Sequence, residues 1–190
     1  GGDADDNVIG GTSAASENEI VNTTQGTAVI PAAAIRVVNQ SPAITSSGDQ
    51  ILRNVGSDND GQFIDLGEDG PGNVAGGPNL GIQAPAISTA LATGATGTAA
   101  PNAVVRIFSK AISDAGELQG FVAETTSAAD GSWSVGYPAQ VIGQRLVATA
   151  TTVGGTSELS AVASVSEPVI PPPAGDTDPP ETTIVKAPKG

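Results

Sequence analysis

Short clusters of β-branched and aliphatic residues recur along the first third of this chain, each preceded by a polar residue and usually followed by Gly, Asn or Ser. Clusters of this length suit a strand and are too short for the apolar face of a helix. Their close spacing also leaves no room for crossover helices, which excludes βαβ units. The clusters are residues 7–11, 18–22, 27–30, 35–39, 50–54 and 62–66.

Repeated short strands separated by polar turns predict a solenoid, in which the Ile and Val of each turn stack on those of the next. At about 20 residues per turn, residues 1–70 would hold roughly three coils. The coil at the Gly1 end would leave strand edges and an apolar cross-section open, which earlier coils normally cap. A β-rich sandwich or irregular loops are the alternatives for this region.

The pattern changes after the first part. Residues 71–87 are dense in Gly and Pro and predict a connecting loop without ladder pairing. Residues 88–167 carry longer alternating segments, and Asp130-Gly131 and Gly154-Gly155 each supply the positive φ of a tight hairpin turn. Two hairpins in about eighty residues predict a small antiparallel sandwich with an interior separate from that of the first part.

Alternation assigns the inward faces of this sandwich. Trp133 and Tyr137 fall on one side of their strand, and Trp133 is expected to anchor the core. On another strand, Leu146 and Ala148 are expected to face inward, and Val147 outward. Residues 168–190 contain a proline-rich stretch, which predicts a stiff, extended linker followed by the start of a further module.

Several function classes are excluded by composition. The chain has no Cys and no His, which removes disulfides, thiolate nucleophiles, cysteine-ligated metals and the usual general base. Its net charge of -13 repels phosphate backbones, so nucleic acid is not an expected partner. No stretch of about eighteen apolar residues occurs, so this segment is not expected to insert into a membrane. The chain also lacks Met, and we expect it to be an internal piece of a longer protein.

A group of acidic residues near the end of the first part is the candidate metal site. Carboxylate oxygens are hard ligands that suit calcium, although the spacing lacks the full twelve-residue EF-hand pattern. Turn chemistry explains the Asp-Asn-Asp-Gly segment without a metal. The candidate calcium ligands are Asp58, Asp60, Asp65 and Asp69. No other cofactor is expected.

An enzyme acting on polysaccharides would need paired carboxylates on one face. Asp49 or Asp58 together with Asp65 could supply such a pair. The region offers Phe63 alone as an aromatic residue for stacking on a sugar. We therefore expect that the chain is not an enzyme.

Specific motifs resemble known families. Residues 7–20, Asn-Val-Ile-Gly-Gly-Thr through Asn-Glu-Ile, resemble the coil repeat of right-handed parallel β-helices in bacterial secreted proteins, and residues 51–70 look like the segment that closes such helices. The second part is similar to the bacterial Ig-like module that often follows, and Asp176 to Ile184 look like the lead-in to one more. The matching segments of the second part are residues 129–134, 146–151 and 155–160.

This resemblance implies an all-β chain. Residues 1–70 would be terminal coils of a right-handed parallel β-helix, and residues 88–167 an antiparallel Ig-like β-sandwich. The protein would be secreted or displayed on a bacterial cell surface as a non-catalytic structural or adhesive segment. Its partners would be glycans, host or cell-surface proteins, and further domains of the same chain. The alternative is a carbohydrate-binding or carbohydrate-active β-helix module stabilised by calcium.

Overall fold

The computed structural model describes residues 5–25, 32–39, 41, 44–110 and 118–168. These residues form fourteen β-strands and two short 3-10 turns, and no α-helix occurs among them. The chain is therefore all-β, as the strand-sized clusters predicted. The predicted cluster at residues 27–30 and the linker after Pro168 lie outside the described residues.

The first part consists of three parallel strand pairs: β1 with β4, β2 with β5, and β3 with β6. Because the pairs follow the same order along the chain, β1–β3 form one layer and β4–β6 a second layer stacked on it. The strands are β1 (Val8–Ile9), β2 (Asn18–Val21), β3 (Ala33–Val37), β4 (Gln50–Ile51), β5 (Asn54–Ser57) and β6 (Gln62–Leu66).

The prediction of roughly three coils was wrong for the described residues, since each ladder there has two strands. Long connections in the first layer take up residues that the prediction assigned to a third coil. Residues 10–17 join β1 to β2, whereas only Leu52 and Arg53 join β4 to β5. Strand β5 itself escaped prediction as a separate element because its sequence, Asn-Val-Gly-Ser, contains a single aliphatic residue.

The second part consists of two antiparallel sheets. One has the order β11-β8-β7, and the other has the order β10-β9-β12-β13, with β14 also pairing with β12. No strand forms between Leu66 and Ala86, in keeping with the predicted Gly/Pro-rich loop. The strands are β7 (Ala86–Leu91), β8 (Gly94–Thr98), β9 (Val104–Lys110), β10 (Gly120–Thr126), β11 (Ser132–Gly136), β12 (Arg145–Thr152), β13 (Gly155–Thr156) and β14 (Ala163–Ser164).

Trp133 lies between these two sheets, as predicted. It is buried in a cluster that includes Ala95 of one sheet and Ile107 and Leu146 of the other. The flanking residues of β11 are exposed, which matches the alternation of its sequence. The indole ring lies over Gly97, its ladder partner on β8.

The close approach of the indole to Gly97 makes this glycine sensitive to substitution. A Cβ atom at Gly97 would collide with the carbonyl oxygen of Ala86 and with the ring of Trp133. Gly97→Ala is therefore expected to lower the free energy of unfolding by about 1–3 kcal/mol, measured by urea unfolding followed by tryptophan fluorescence. Gly136→Ala in the same sheet has room for the methyl group and should change stability by less than about 0.5 kcal/mol. Equal effects of the two substitutions would contradict the packing described.

The hairpin predicted at Asp130-Gly131 was wrong. Strand β10 pairs with β9 and β11 pairs with β8, so this turn carries the chain from one sheet to the other. The turn chemistry itself is as expected, with Gly131 at a φ of 84°. The Asp130 carboxylate accepts hydrogen bonds from the amide and hydroxyl of Ser132 at 2.9 and 2.7 Å. Local sequence thus specified the turn but not the partner of either strand.

The hairpin predicted at Gly154-Gly155 is confirmed, because Thr151 and Thr152 pair with Thr156 and Gly155. The returning strand β13 is only two residues long. Beyond it, the hydroxyl oxygen of Ser157 accepts the amide of Ala150 at 3.0 Å, and that of Ser160 accepts the amide of Ala148 at 2.9 Å. Serine side chains thus take the place of ladder carbonyls along β12.

Strand β12 is buried on both faces, which corrects the expected outward orientation of Val147 towards solvent. Leu146 and Ala148 pack in the Trp133 cluster, whereas Val147 and its ladder partner Phe108 pack on the opposite side of the sheet. That opposite side lies against the first part of the chain. The alternation of β12 correctly separates its two faces, but both faces pack against apolar residues.

The two parts share a hydrophobic cluster, and the expectation of two separate interiors was wrong. The cluster unites residues of the parallel layers with residues of β9, β12 and the segment before β10, because the second face of the β9-β12 sheet needs cover. The boundaries drawn at residues 70, 87 and 167 stay a prediction. The shared cluster contains Ile35, Val37, Ile51, Phe63, Ile64, Leu66, Ile82, Phe108, Leu118 and Val147.

Candidate functional site

The candidate site is the junction where the antiparallel part meets the outer edge of the second layer. Each strand of that layer donates one backbone N–H across the junction. Ile51 of β4 donates to the hydroxyl of Thr156 at 2.9 Å. Gly56 of β5 donates to the carbonyl of Leu118 at 2.9 Å. Leu66 of β6 donates to the carboxylate of Glu158 at 2.8 Å. One edge donor of each of the three strands is therefore satisfied by the antiparallel part.

Glu158 holds two segments of the first part at once. Its side chain is buried, its Oε1 accepts the amide of Leu66, and its Oε2 accepts the amide of Gly72 at 2.6 Å. Hydrogen bonds from backbone N–H groups to a carboxylate are among the stronger ones in proteins. Glu158 therefore fixes the end of β6 and the start of the Gly/Pro-rich loop against the antiparallel part.

Burial raises the pKa of the Glu158 carboxyl above its ordinary value of 4.5, because it disfavours the charged form. The negative charges of Asp65 and Asp69 raise this pKa further, while the hydrogen bonds from Leu66 and Gly72 oppose the shift. The folded state therefore binds a proton more readily than the unfolded chain does. The stabilisation from this group is complete below the ordinary value and is lost as the pH rises through the folded pKa.

A pH dependence follows for the free energy of unfolding. Between neutral pH and the ordinary glutamate range, acidification should stabilise wild type relative to Glu158→Gln, because the glutamine cannot titrate. Urea unfolding of both proteins across this range measures the difference, and the other carboxyl groups cancel because both proteins contain them. An identical pH slope for the two proteins would show that Glu158 does not titrate as described.

Asn79 is the central buried residue of the junction. It is fully buried with a left-handed φ of 51°, a conformation that asparagine tolerates better than most residues. Its Nδ2 donates to the carbonyls of Asp49 and Thr156 at 3.0 and 2.9 Å. Its Oδ1 accepts the amide of Asp49 at 3.1 Å. One side chain therefore joins the start of β4, the Gly/Pro-rich loop and the β12-β13 hairpin.

Arg53 makes a third connection between the layers and the antiparallel part. Its guanidinium carbon lies 4.1 Å from the centre of the Phe121 ring on β10, a cation–π contact. The same guanidinium lies 3.2 Å from the carboxylate of Glu17 in the first layer. Arg53 thus links both layers to the antiparallel part.

Buried asparagines also join the two layers to each other. Asn54 accepts the side-chain amide of Asn18 at 3.0 Å and donates to the carbonyl of Ile9 at 3.2 Å. Asn59 donates to the carbonyl of Ile20 at 3.0 Å and accepts the amide of Thr23 at 3.1 Å. The second layer therefore satisfies backbone groups at the turns of the first layer, where regular ladder pairing stops.

The predicted calcium ligands occupy different environments. Asp58 and Asp60 are exposed in the turn between β5 and β6, and Asp60 accepts the amide of Gln25 at 2.9 Å. Asp65 is fully buried, with its carboxylate 3.4 Å from Nε of Arg36, and Asp69 is exposed beyond the end of β6. In the part of the chain that the structure describes, no three Asp, Glu, His or Cys side chains form a group suited to a metal ion. Calcium binding itself stays a prediction.

Of the carboxylates that could pair for catalysis, Asp49 and Asp65 make structural contacts. Asp49 is buried and accepts hydrogen bonds from the side chains of Asn7 and Ser46 at 2.7 and 2.6 Å. Asp65 pairs with Arg36 between the two layers. Asp58 adopts a left-handed turn with a φ of 56°, which fits the turn chemistry expected of this segment. These acids stand out in the sequence, whereas Glu158, Asn79 and Arg53 do not, because their roles depend on partners distant in sequence.

No model of a known protein family matches this chain, and no curated protein matches it. A solved structure described as a biofilm associated protein BSP domain is similar to it over 46% of this chain, with 22% sequence identity and a TM-score of 0.36. The match spans 15% of that structure. A TM-score this low does not establish a shared fold. Among the described residues, no helix is long and apolar enough to cross a membrane.

Proposed function

We propose that this chain is a non-catalytic structural segment of a bacterial extracellular or cell-surface protein. In this proposal the two parallel layers are terminal coils of a right-handed β-helix, and the antiparallel sheets are an Ig-like sandwich that closes its end. The observation that carries the proposal is the junction, where Thr156, Leu118 and Glu158 accept N–H groups from the three strands of the second layer.

A closed end has a physical purpose in a stacked structure. An open layer exposes unpaired N–H and C=O groups, which invite pairing with other chains. It also exposes apolar residues of its interior, here Ile51, Phe63 and Leu66, which pack against the sandwich in the shared cluster. The sandwich thus gives the layers both a hydrogen-bonded and an apolar cover.

The segment would extend a surface protein and set the spacing of its modules. Adhesive contacts with glycans or with host or cell-surface proteins would come from exposed connections, such as the long segment 10–17 of the first layer. The proline-rich stretch beginning at residue 168 would serve as a spacer. Secretion or surface display is part of this proposal.

The test for this proposal is a turnover assay with the full chain on acidic and neutral polysaccharides, combined with a glycan array. We expect no turnover. A measurable rate that disappears in Asp65→Asn would replace the proposal with the carbohydrate-active alternative. Arg36→Gln is the matched control, because it breaks the same ion pair but leaves the carboxylate in place.

Calcium stabilisation belongs to that alternative and has its own measurement. Thermal unfolding of the full chain is recorded with calcium and with a chelator. A midpoint raised by calcium, and not by magnesium, would support a site at the predicted aspartates, and its loss in Asp58→Asn with Asp60→Asn would locate the site there. An unchanged midpoint would remove calcium from consideration.

A further inference from the structure

A groove of about 520 Å³ lies where β3 and β6 end side by side. One wall is the chain after β3, with Val38 and Asn39, and the second is the chain after β6, with Glu68 and Asp69. The third wall is the segment 74–78 of the Gly/Pro-rich loop. A volume of this size falls within the range of small binding sites in proteins.

The walls of the groove are held in place by hydrogen bonds. Nδ2 of Asn39 donates to the carbonyl of Gly76 at 3.1 Å, and its Oδ1 accepts the amide of Ser46 at 2.9 Å. The amide of Gly67 donates to the carbonyl of Val37 at 3.0 Å. Because these bonds tie each wall to its neighbour, a bound group would find the groove already shaped.

The lining combines apolar and acidic chemistry. Val38 and Val74 are 42% and 56% exposed, which leaves two aliphatic surfaces open to a ligand. The carboxylates of Glu68 and Asp69 supply negative charge, and none of the described residues that line the groove is basic. Arg36 lies 3.7 Å from the carboxylate of Glu68 and 3.4 Å from that of the buried Asp65, so one guanidinium is shared by two carboxylates beside the exposed Asp69.

We propose that this groove binds a lysine side chain presented by an extended segment of a partner protein. The ammonium group would lie between Glu68 and Asp69, and the four-carbon stem would cover Val38 and Val74, which is how lysine combines its apolar and charged parts. Phosphate ligands are opposed by the charge, and no aromatic residue among those lining the groove offers stacking to a sugar. This inference deepens the adhesive role proposed above, and its test does not involve the junction.

The experiment titrates the isotopically labelled full chain with three capped peptides: Thr-Val-Lys-Val-Thr, its Nε-acetyl-lysine form and its glutamate form. We expect saturable shifts of the Val38 and Val74 methyl signals with the lysine peptide alone. Exposed ion pairs contribute at most about 1 kcal/mol, so Asp69→Asn should weaken binding by up to about fivefold. Added salt should weaken it as well.

The matched control for the apolar wall is Val141→Ser, which changes an exposed valine outside the groove. Val74→Ser should weaken binding several-fold, and Val141→Ser should not. Equal binding of the acetyl-lysine peptide, no effect of Asp69→Asn, or shifts scattered over the acidic surface would each overturn the proposal. If Asp69→Asn unfolds, judged by Trp133 fluorescence, Glu68→Gln replaces it.

Discussion

Replacing Phe108 with Ala is expected to lower the free energy of unfolding by about 3–5 kcal/mol, the usual cost of removing a buried aromatic ring. Phe108 is fully buried and meets Phe121 edge to face, with ring centres 6.0 Å apart. It belongs to the cluster that also contains Ile51 and Leu66 of the parallel layers. The cavity would therefore weaken both parts of the chain and not the antiparallel part alone.

Urea unfolding measures this loss, and amide hydrogen exchange shows where it falls. The amides of Ile51 and Leu66 should lose protection together with that of Ile107. Val153→Ala is the control, because Val153 is 99% exposed and its truncation should cost less than about 0.5 kcal/mol. Protection that persists at Ile51 and Leu66 while Ile107 loses it would contradict a shared interior.

The second large effect is expected at Asn79. Asn79→Ala removes three buried hydrogen bonds and places alanine at a φ of 51°, so the free energy of unfolding should fall by about 2–4 kcal/mol. Urea unfolding followed by the fluorescence of Trp133 provides the measurement. The loss should exceed that of Gly97→Ala, although Asn79 belongs to a loop that the sequence describes only as rich in Gly and Pro.

A glycine variant separates the two contributions. Asn79→Gly also loses the side-chain hydrogen bonds but tolerates a positive φ, so it should be more stable than Asn79→Ala by about 1 kcal/mol. If Asn79→Gly matched wild type, the side chain would make no contribution to the junction, and the role assigned to it would be wrong.

Features set by local sequence could be predicted. Clusters of Ile and Val marked five of the six strands in the two layers, and alternation placed Trp133 inside. Gly154-Gly155 marked a hairpin because the positive φ of Gly155 is a local requirement of the turn. In each case the physical cause lies within a few residues of the position it determines.

Features set by distant partners could not be predicted. Asp130-Gly131 looks like a hairpin, but its flanking strands find β9 and β8 as partners. Val147 looks like a surface position because nothing nearby in sequence indicates a second apolar partner. Glu158 bonds to Leu66 across 92 positions of sequence. Its one local signal is that it is the sole acid between Arg145 and Glu167, in a stretch of small and apolar residues.

The same distinction between local causes and distant partners applies to the candidate site. Asp58 and Asp60 were predicted as ligands from their spacing, which reflects a turn. The role of Asn79 was not predicted, because it depends on three segments that meet only in the folded chain. Buried polar residues of this kind are recognised from their partners, and those partners are known only once the chain is folded.

The most direct test of the shared interior is urea unfolding of the full chain followed by two probes at once. Trp133, the only tryptophan, reports on the antiparallel part, and the NMR signal of the Ile64 methyl group reports on the parallel layers. A common interior predicts one transition with the same midpoint for both probes. Two separate midpoints would show that the parts fold independently and would contradict the account.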